Sequence, residues 1–375
     1  MAAVSLMKGQ VSWKIMYPSL ITYIVGCLLI FISHPVISAT PSPSLGFELS
    51  QKQSDSNRAV RISKSKYQGP IFDAHIHYNP PGRQNPDNAT PEMIWKMLKS
   101  QNVTHALVMP TPNEGHSRNH DEGAKLKQEL VRVSGGKVQR FCGSNYLNLW
   151  LHRAYHEEYN EDDLASRLDL LRKDLMSGKC IGIGEIATYH FEKNPRQSGR
   201  LLEIPFNFPP FLKIVSEVAK NQRWFLLHAE PMDPNGKSFE AQVFGGIALL
   251  YEQNSELKLI LAHSAMTNSD NVRQLLLHYP SLMVDLKLVT KHHEWRYLEP
   301  IVNTDDNIYE DWAKLFEEFP TRFLVGTDAK FGRQGWTIEK YVKRIASMRK
   351  MLGSLPTDVA QRIAYENVHE LIKKL

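Results

Sequence analysis

The chain has 375 residues, 42% of them apolar, so it is long enough to bury one barrel-sized core or two smaller ones. Residues 1–66 hold seven basic and two acidic side chains, which leaves 38 of each sign for the rest, out of 45 basic and 40 acidic residues in all. A body of zero net charge argues against a bulk electrostatic surface for nucleic acid, and we expect no nucleic-acid partner.

The N-terminal segment is typical of a targeting sequence. Lys8 and Lys14 precede residues 15–39, which contain no Asp, Glu, Lys or Arg. The most apolar part, residues 20–32, has the length of a signal-peptide core and is short for a membrane span. We interpret residues 1–39 as a signal peptide or an uncleaved membrane anchor. The protein is then exported (periplasmic or secreted) or anchored, and it meets a membrane only through this segment.

Residues 40–66 are rich in Ser, Pro, Gln and Lys and lack a periodic apolar pattern, which is typical of a linker. From Tyr67 onward, strand-like and helix-like segments alternate. The strand candidates are 70–76, 103–109, 138–145, 180–186, 223–229, 257–263, 282–287 and 323–328. Eight strands, each followed by a helix, predict an α/β fold with a (β/α)8 TIM barrel over residues 67–375. A doubly wound open sheet is the alternative, but no glycine-rich phosphate loop follows the first strand.

The helical segments have recognisable ends. One is predicted over 162–177, with a leucine stripe and Gly178 as its stop, and another runs from a Ser269 cap to Tyr279. Residues 356–375 predict an extra C-terminal helix. Three long loops, 78–91, 187–208 and 288–308, follow predicted strands, so we expect them at the catalytic face of a barrel.

The body contains two cysteines, Cys142 and Cys180. If Cys142 lies late on its strand and Cys180 begins the next, parallel neighbours hold them near opposite ends. That separation exceeds disulfide reach, so we expect two buried free thiols.

Metal-liking side chains close several of the predicted strands. Residues two apart on a strand share a face, so His75 and His77 are both expected to point into the barrel mouth. Four further candidates follow at later strand ends: Glu185, His228, His263 and Asp328. Imidazole and carboxylate suit zinc and related divalent ions, and a metal lowers the pKa of a bound water toward about 7. The sequence therefore predicts a metal site, most simply for zinc, with manganese or iron as alternatives and with one ion or two.

The order of these strand ends resembles the amidohydrolase superfamily: His-x-His after strand one, a carboxylate after strand four, His after strands five and six, and Asp after strand eight. The resemblance covers about residues 70–375. It implies that His75, His77 and Asp328 hold one metal. It also implies that His228 and His263 hold a second, with Glu185 bridging the two. Gly326-Thr327-Asp328 is closest to the amidohydrolase-related branch, whereas Gly184-Glu185-Ile186 is similar to metal-dependent deoxyribonucleases and phosphotriesterase-like lactonases.

We therefore expect an amidohydrolase-type hydrolase that uses a metal-activated hydroxide on an ester, lactone, amide or phosphoryl substrate, with Asp328 as the catalytic proton carrier. The alternatives are a mononuclear decarboxylase on the same barrel and a non-catalytic ligand-binding barrel. Lys287 shares strand parity with Asp285, and it either binds a small-molecule substrate or forms an ion pair with that acid. Glu230 is a candidate partner for His228. Spare histidines on the loops are His190, His292 and His293. The sequence indicates neither the substrate nor the oligomeric state.

Overall fold

The computed structural model describes residues 58–79, 89–112, 120–191, 201–288, 299–333 and 336–373. Within these ranges the main sheet has nine parallel strands, which we number in chain order. They are β1 (Ile71–Tyr78), β2 (Val103–Met109), β3 (Val138–Gly143), β4 (Gly182–Ala187), β5 (Trp224–His228), β6 (Lys258–Leu261), β7 (Met283–Leu286), β8 (Phe323–Val325) and β9 (Ala329–Phe331).

The sheet closes into a barrel through its last two strands. Strand β8 pairs with β7, whereas β9 pairs with β1 at the other end of the strand order. Only Gly326, Thr327 and Asp328 separate β8 from β9, and the Asp328 amide donates to the His75 carbonyl at 2.8 Å. The two strands are thus one interrupted eighth strand. The predicted TIM barrel is confirmed, and the doubly wound open sheet is excluded because an open sheet has two separate edges.

Each predicted strand overlaps an observed one, with ends that differ by at most two residues except at the interrupted eighth strand. The helices that cover the barrel are α1 (Pro91–Ser100), α2 (His120–Val133), α3 (Ser144–His156), α4 (Glu161–Met176), α5 (Pro209–Lys220), α6 (Glu240–Gln253), α7 (Ser269–His278), α8 (Glu310–Glu318) and α9 (Ile338–Leu352). A C-terminal helix follows, as α10 (Thr357–Gln361), a π-helical turn Arg362–Glu366 and α11 (Asn367–Lys373). The expected C-terminal helix is confirmed.

One helix cap differs from the expectation. The side chain of Asn268, rather than that of Ser269, accepts the backbone N–H of Asn271 at 2.8 Å. Asn268 is therefore the N-cap, and the helix begins at Ser269. Asn is as effective an N-cap as Ser, and the first of two adjacent capping residues takes the position here.

Two apolar cores hold the strands. The larger lies between the sheet and the helices, and the smaller fills the barrel interior with residues such as Phe72, Phe141, Leu226 and Leu324. Because this interior is packed, the space open to chemistry lies beyond it, at the carboxyl ends of the strands.

The expectation of two free thiols is wrong. Cys142 and Cys180 form a disulfide, with their Cα atoms 5.8 Å apart. Strand register pairs Cys142 with Ile183, so a straight extension of β4 would have carried Cys180 away from its partner. Cys180 instead precedes β4, which begins at Gly182, and the chain there departs from the strand direction and brings the two sulfurs together.

The last residues of the predicted linker are attached to the barrel. Val60–Arg61 pairs antiparallel with Ile308–Tyr309, and the Arg58 guanidinium donates to the Asp311 carboxylate at 2.8 Å. Residues 1–57 lie outside the described ranges, so the proposed division at residues 39 and 66 stays a prediction. No helix in the described part of the chain combines the length and apolarity that a membrane crossing requires.

Candidate metal centre

A bulge in β1 determines the direction in which the side chains of His75 and His77 point. Phe72 and Ala74 pack in the barrel interior, so simple alternation would turn His75 away from it. Between Asp73 and Ile76, however, three residues of β1 advance against two of β2, from Ala106 to Val108. This extra residue changes the parity, as bulges near functional sites commonly do. His75 and His77 are fully buried and face the centre of the barrel mouth.

A second bulge carries the carboxylate of Glu185. Ile183 pairs with Phe225 and Ile186 with Leu227, so β4 again advances three residues against two. Gly184 has a φ of +155°, and a Cβ there would lie 2.5 Å from the Cβ of Leu226. Only glycine fits this position, and it lets Glu185 enter the mouth with 2% exposure.

The first group of candidate ligands is His75, His77 and Asp328. The Nε2 atoms of the two histidines lie 3.1 Å apart, and Asp328 Oδ1 lies 3.1 Å from His77 Nε2. Glu185 Oε2 lies 3.4 Å from His77 Nε2 and 3.7 Å from His75 Nε2. Four nitrogen and oxygen atoms thus face one another in a small buried space.

The outer nitrogens of both histidines have acceptors of their own. His75 Nδ1 lies 2.8 Å from Asp285 Oδ2, and His77 Nδ1 lies 3.3 Å from the Met109 carbonyl oxygen. A carbonyl oxygen only accepts, and an ionised carboxylate only accepts, so both Nδ1 atoms carry the proton. In the neutral rings both Nε2 atoms then present lone pairs to the two carboxylates.

This arrangement fits a divalent cation. Lone pairs facing one another are repulsive unless a cation or a proton lies between them. In a tetrahedral zinc site with bonds of 2.0–2.1 Å, neighbouring ligand atoms are roughly 3.3 Å apart. The distances of 3.1 and 3.4 Å around His77 Nε2 are close to that value.

The second group is Glu185, His228 and His263. Glu185 Oε1 lies 2.8 Å from His228 Nδ1 and 3.2 Å from His263 Nε2. The other nitrogen of His228, Nε2, lies 2.9 Å from Glu230 Oε1, which accepts a hydrogen bond from the Nε2–H and so leaves the Nδ1 lone pair toward Glu185. Since Oε2 of Glu185 faces the first group, its two oxygens face different ligand sets.

Burial and charge act on these groups in opposite directions. Burial raises the pKa of Glu185, but the nearby histidines lower it well below its ordinary value. Burial lowers the pKa of His75, but the carboxylates of Asp285 and Glu185 raise it well above its ordinary value. The site therefore favours an ionised Glu185 and a positive charge at His75, which a metal ion supplies in place of a proton.

Strand β7 and the residue that follows it supply two inward side chains, Asp285 and Lys287, as their shared parity predicts. Asp285 contacts His75 as described and accepts the backbone N–H of His263 at 2.8 Å. Lys287 does not pair with Asp285, so of its two alternatives the ion pair with that acid is wrong. Its Nζ instead lies 2.6 Å from Asp328 Oδ2. Asp285 already contacts His75 and His263, whereas Lys287 lies two residues nearer the mouth and reaches across to Asp328.

The junction after β8 is held by groups that the sequence did not single out. Buried Asp73 accepts the Thr327 hydroxyl at 2.7 Å, the Thr327 backbone N–H at 3.0 Å and the Tyr341 hydroxyl at 3.0 Å. The Arg344 guanidinium donates to the Thr327 carbonyl oxygen. These bonds fix the backbone immediately before Asp328. No pattern marks them in the sequence, because Asp73 and Tyr341 are 268 residues apart.

Of the spare histidines, only His190 lies in the described ranges. Its Nδ1 lies 2.8 Å from Glu230 Oε1, so one carboxylate oxygen accepts from His190 and His228 together. The predicted partnership of Glu230 with His228 is confirmed. His292 and His293 lie outside the described residues.

Comparison with known proteins supports the fold. No protein-family model matches the chain, and a search of curated proteins finds no match. A Lactobacillus casei structure described as a metal-dependent hydrolase is 11% identical with a TM-score of 0.51; the match covers 84% of this chain and 98% of that one. IDCase from Metarhizium anisopliae, in its apo form, is 12% identical with a TM-score of 0.50, over 82% of this chain and 97% of that one. At these identities the likeness establishes the fold, the TIM barrel that the strand pairing also shows.

Proposed function

We propose that the protein is a metal-dependent hydrolase of the amidohydrolase type that acts on an ester, lactone, amide or phosphoryl substrate. The observation that carries the proposal is the pair of ligand sets joined by Glu185, with Oε1 at 2.8 Å from His228 and Oε2 at 3.4 Å from His77. A buried carboxylate between four histidines is costly to maintain unless cations balance it.

The proposed ligands divide into two sets. His75, His77 and Asp328 would hold one metal, and His228 and His263 a second, with Glu185 between them. When bound, a divalent metal such as zinc, manganese or iron supplies a water of lowered pKa and polarises the substrate oxygen.

Four side chains of the protein orient the ligands and transfer the proton. Asp285 and Glu230 hold the outer nitrogens of His75 and His228, so each ring keeps its lone pair toward the site. Asp328 accepts the proton of the attacking water and passes it to the leaving group. Lys287, 2.6 Å from Asp328 Oδ2, orients that carboxylate.

Metal content tests the proposal. Protein purified without chelator should contain close to two divalent ions per chain by elemental analysis, and the double variant His75→Ala/His77→Ala should lose one of them. A panel of esters, lactones and amides, with zinc or manganese added, should reveal turnover that the double variant lacks. Metal-free protein together with full activity in the double variant would contradict the mechanism.

A mononuclear decarboxylase is the second candidate, because one three-residue group, His75, His77 and Asp328, is sufficient to hold one ion. It predicts one metal per chain and release of carbon dioxide from aromatic or unsaturated acids. Both oxygens of Glu185 face histidines, which favours two ions and therefore the hydrolase. A non-catalytic barrel would bind metal or ligand tightly and turn over no member of either panel.

We also propose that the protein is exported, periplasmic or secreted, or anchored through residues 1–39. The Cys142–Cys180 disulfide supports an oxidising compartment, where such bonds persist. Fractionation of cells that produce the full chain, followed by N-terminal sequencing of the mature protein, tests this. Recovery from the cytoplasm with Met1 intact and both thiols free would contradict it.

A further inference from the structure

Strand β4 extends past its neighbour β3. The last pair between the two strands joins Gly143 to Gly184, because β3 ends at Gly143 and α3 begins with the next residue. Strand β4 continues to Ala187, which is in register with His228 of β5 on the other side. Among the described residues, no strand lies beside the last three residues of β4 on the β3 side, and Glu185 is the first of these three.

A side chain of α3 takes the place that β3 leaves open. The Oδ1 atom of Asn148 accepts the backbone N–H of Ala187 at 2.8 Å, the length of an ordinary backbone hydrogen bond. Ala187 stands two residues after Glu185, so this bond holds the backbone just beyond the bulge that carries the carboxylate. Asn148 is within reach because no loop separates β3 from α3, and the first turns of the helix therefore lie beside the mouth.

The other end of the Asn148 amide is bonded as well. Its Nδ2 donates to the carbonyl oxygen of Pro112 at 3.1 Å, which fixes the orientation of the amide and leaves Oδ1 as the acceptor. Pro112 stands three residues after Met109, the last residue of β2, whose carbonyl oxygen lies 3.3 Å from His77 Nδ1. One side chain thus links the segment beside His77 to the segment that carries Glu185.

Asparagine is an unusual choice for this position in a helix. Asn148 is the fifth residue of α3 and is 1% exposed. Asparagine is among the weaker helix formers, and burial of a side-chain amide is unfavourable unless its polar atoms are hydrogen-bonded. An alanine or a leucine would suit the helix better, but neither could accept the Ala187 N–H. Residues that break a local preference in this way are expected at functional sites.

We propose that Asn148 is a positioning residue for the metal centre: it holds the end of β4 so that Glu185 presents one oxygen to each ligand group. This inference rests on the proposed function, because a two-metal centre requires both oxygens of Glu185 to be placed. The hydrogen bond to Ala187, through which Asn148 acts, can be tested without metal.

Zinc titration of metal-free protein by calorimetry tests the effect on the centre. Asn148→Ala should weaken one of the two zinc-binding steps about 10- to 100-fold, the usual cost of losing a partner that orients a metal ligand. Asn148→Asp keeps an acceptor for the Ala187 N–H and should restore most of that affinity. If Asn148→Ala does not fold, Asn148→Ser provides the same test, because its hydroxyl can bond to the preceding turn of the helix and does not reach Ala187.

The matched control is Asn367→Ala. Asn367 is also a buried asparagine bonded to two backbone groups, since its Nδ2 donates to the carbonyl oxygens of Pro320 and Phe323 at 2.8 Å each. Phe323 begins β8, so Asn367 lies at the end of the barrel opposite to the mouth. Both alanine variants should unfold at lower urea concentration than the wild type, but Asn367→Ala should keep both zinc-binding steps. An equal loss of zinc affinity in the two variants would overturn the inference, because metal binding would then follow stability alone.

Amide hydrogen exchange of the metal-free protein tests the bond itself. The peptide that contains Ala187 should exchange faster in Asn148→Ala than in the wild type, and at the wild-type rate in Asn148→Asp and Asn367→Ala. Unchanged exchange in Asn148→Ala would overturn the inference.

The titrations also separate this inference from the proposed function. Loss of one zinc ion in Glu185→Gln together with wild-type zinc binding in Asn148→Ala would refute the positioning role of Asn148 alone. Two intact zinc-binding steps in Glu185→Gln would refute the two-metal centre, and the exchange rates would still decide whether Asn148 holds the end of β4.

Discussion

Replacing Glu185 with glutamine should convert a two-metal centre into a one-metal centre. The carboxylate has one oxygen 2.8 Å from His228 and 3.2 Å from His263, and the other 3.4 Å from His77. The neutral amide keeps the volume but removes the negative charge and replaces one acceptor with an NH2 donor. That donor satisfies histidine lone pairs that would otherwise bind metal.

The expected loss of metal affinity in Glu185→Gln follows from the contacts of the carboxylate. Loss of a partner that only orients a metal ligand typically costs 10- to 100-fold in metal affinity. Glu185 faces both ligand groups directly, so we expect the weaker site to lose at least about 100-fold, or about 2.8 kcal/mol. The other group retains His75, His77 and Asp328 and should still bind one ion.

The assay is a zinc titration of metal-free protein by calorimetry, with elemental analysis after dialysis. The wild type should bind two ions, Glu185→Gln one, and the control Glu339→Gln, which changes an exposed carboxylate on α9, two. If Glu185→Gln binds two ions with wild-type affinity, the carboxylate does not join the two groups and the two-metal interpretation is refuted.

Three further changes test the surroundings of the centre. Glu230→Gln removes the charge that holds His228 Nε2 at 2.9 Å and should weaken one of two zinc-binding steps about 10- to 100-fold; an unchanged titration would contradict the role of Glu230. Asp73→Ala leaves the Thr327 and Tyr341 donors without an acceptor and should lower the free energy of unfolding in urea by about 4 kcal/mol. Asp73→Asn should lower it by less. A loss below about 1 kcal/mol in Asp73→Ala would be evidence against the proposed role of Asp73. Cys142→Ser/Cys180→Ser opens a crosslink between residues 38 apart in the sequence and should cost about 4 kcal/mol by the chain-entropy estimate, measured by the same method; equal stability of the variant and the oxidised wild type would refute this.

The sequence was informative about the centre because its signals are local. Each candidate ligand closes an apolar run that must be buried, and parallel strands in a barrel present their carboxyl ends at one face. Those two facts are sufficient to bring His75, His228 and Asp328 together without any knowledge of packing. The same local character accounts for the success of the strand assignments and for the one-residue difference at the α7 cap.

The errors have a different origin. The disulfide was missed because strand alternation says nothing about where the chain bends before β4. The ion pair with Asp285, one of two alternatives for Lys287, was wrong because shared parity does not fix how far a side chain reaches across the barrel mouth. Lys330, whose Nζ lies 3.4 Å from Asp328 Oδ2, was overlooked for a related reason. It stands two residues after Asp328, but its closeness to Lys287 depends on the interruption between β8 and β9.

The sequence by itself therefore determined the barrel, the order of its strands and the identities of six candidate ligands. Only the tertiary structure decided the direction in which the side chains of those ligands point. The bulges in β1 and β4 turn His75, His77 and Glu185 inward, and Asp73 fixes the break that presents Asp328. Bulges and long-range hydrogen bonds have this power because they depend on how one strand meets its neighbour, which no single segment of sequence encodes.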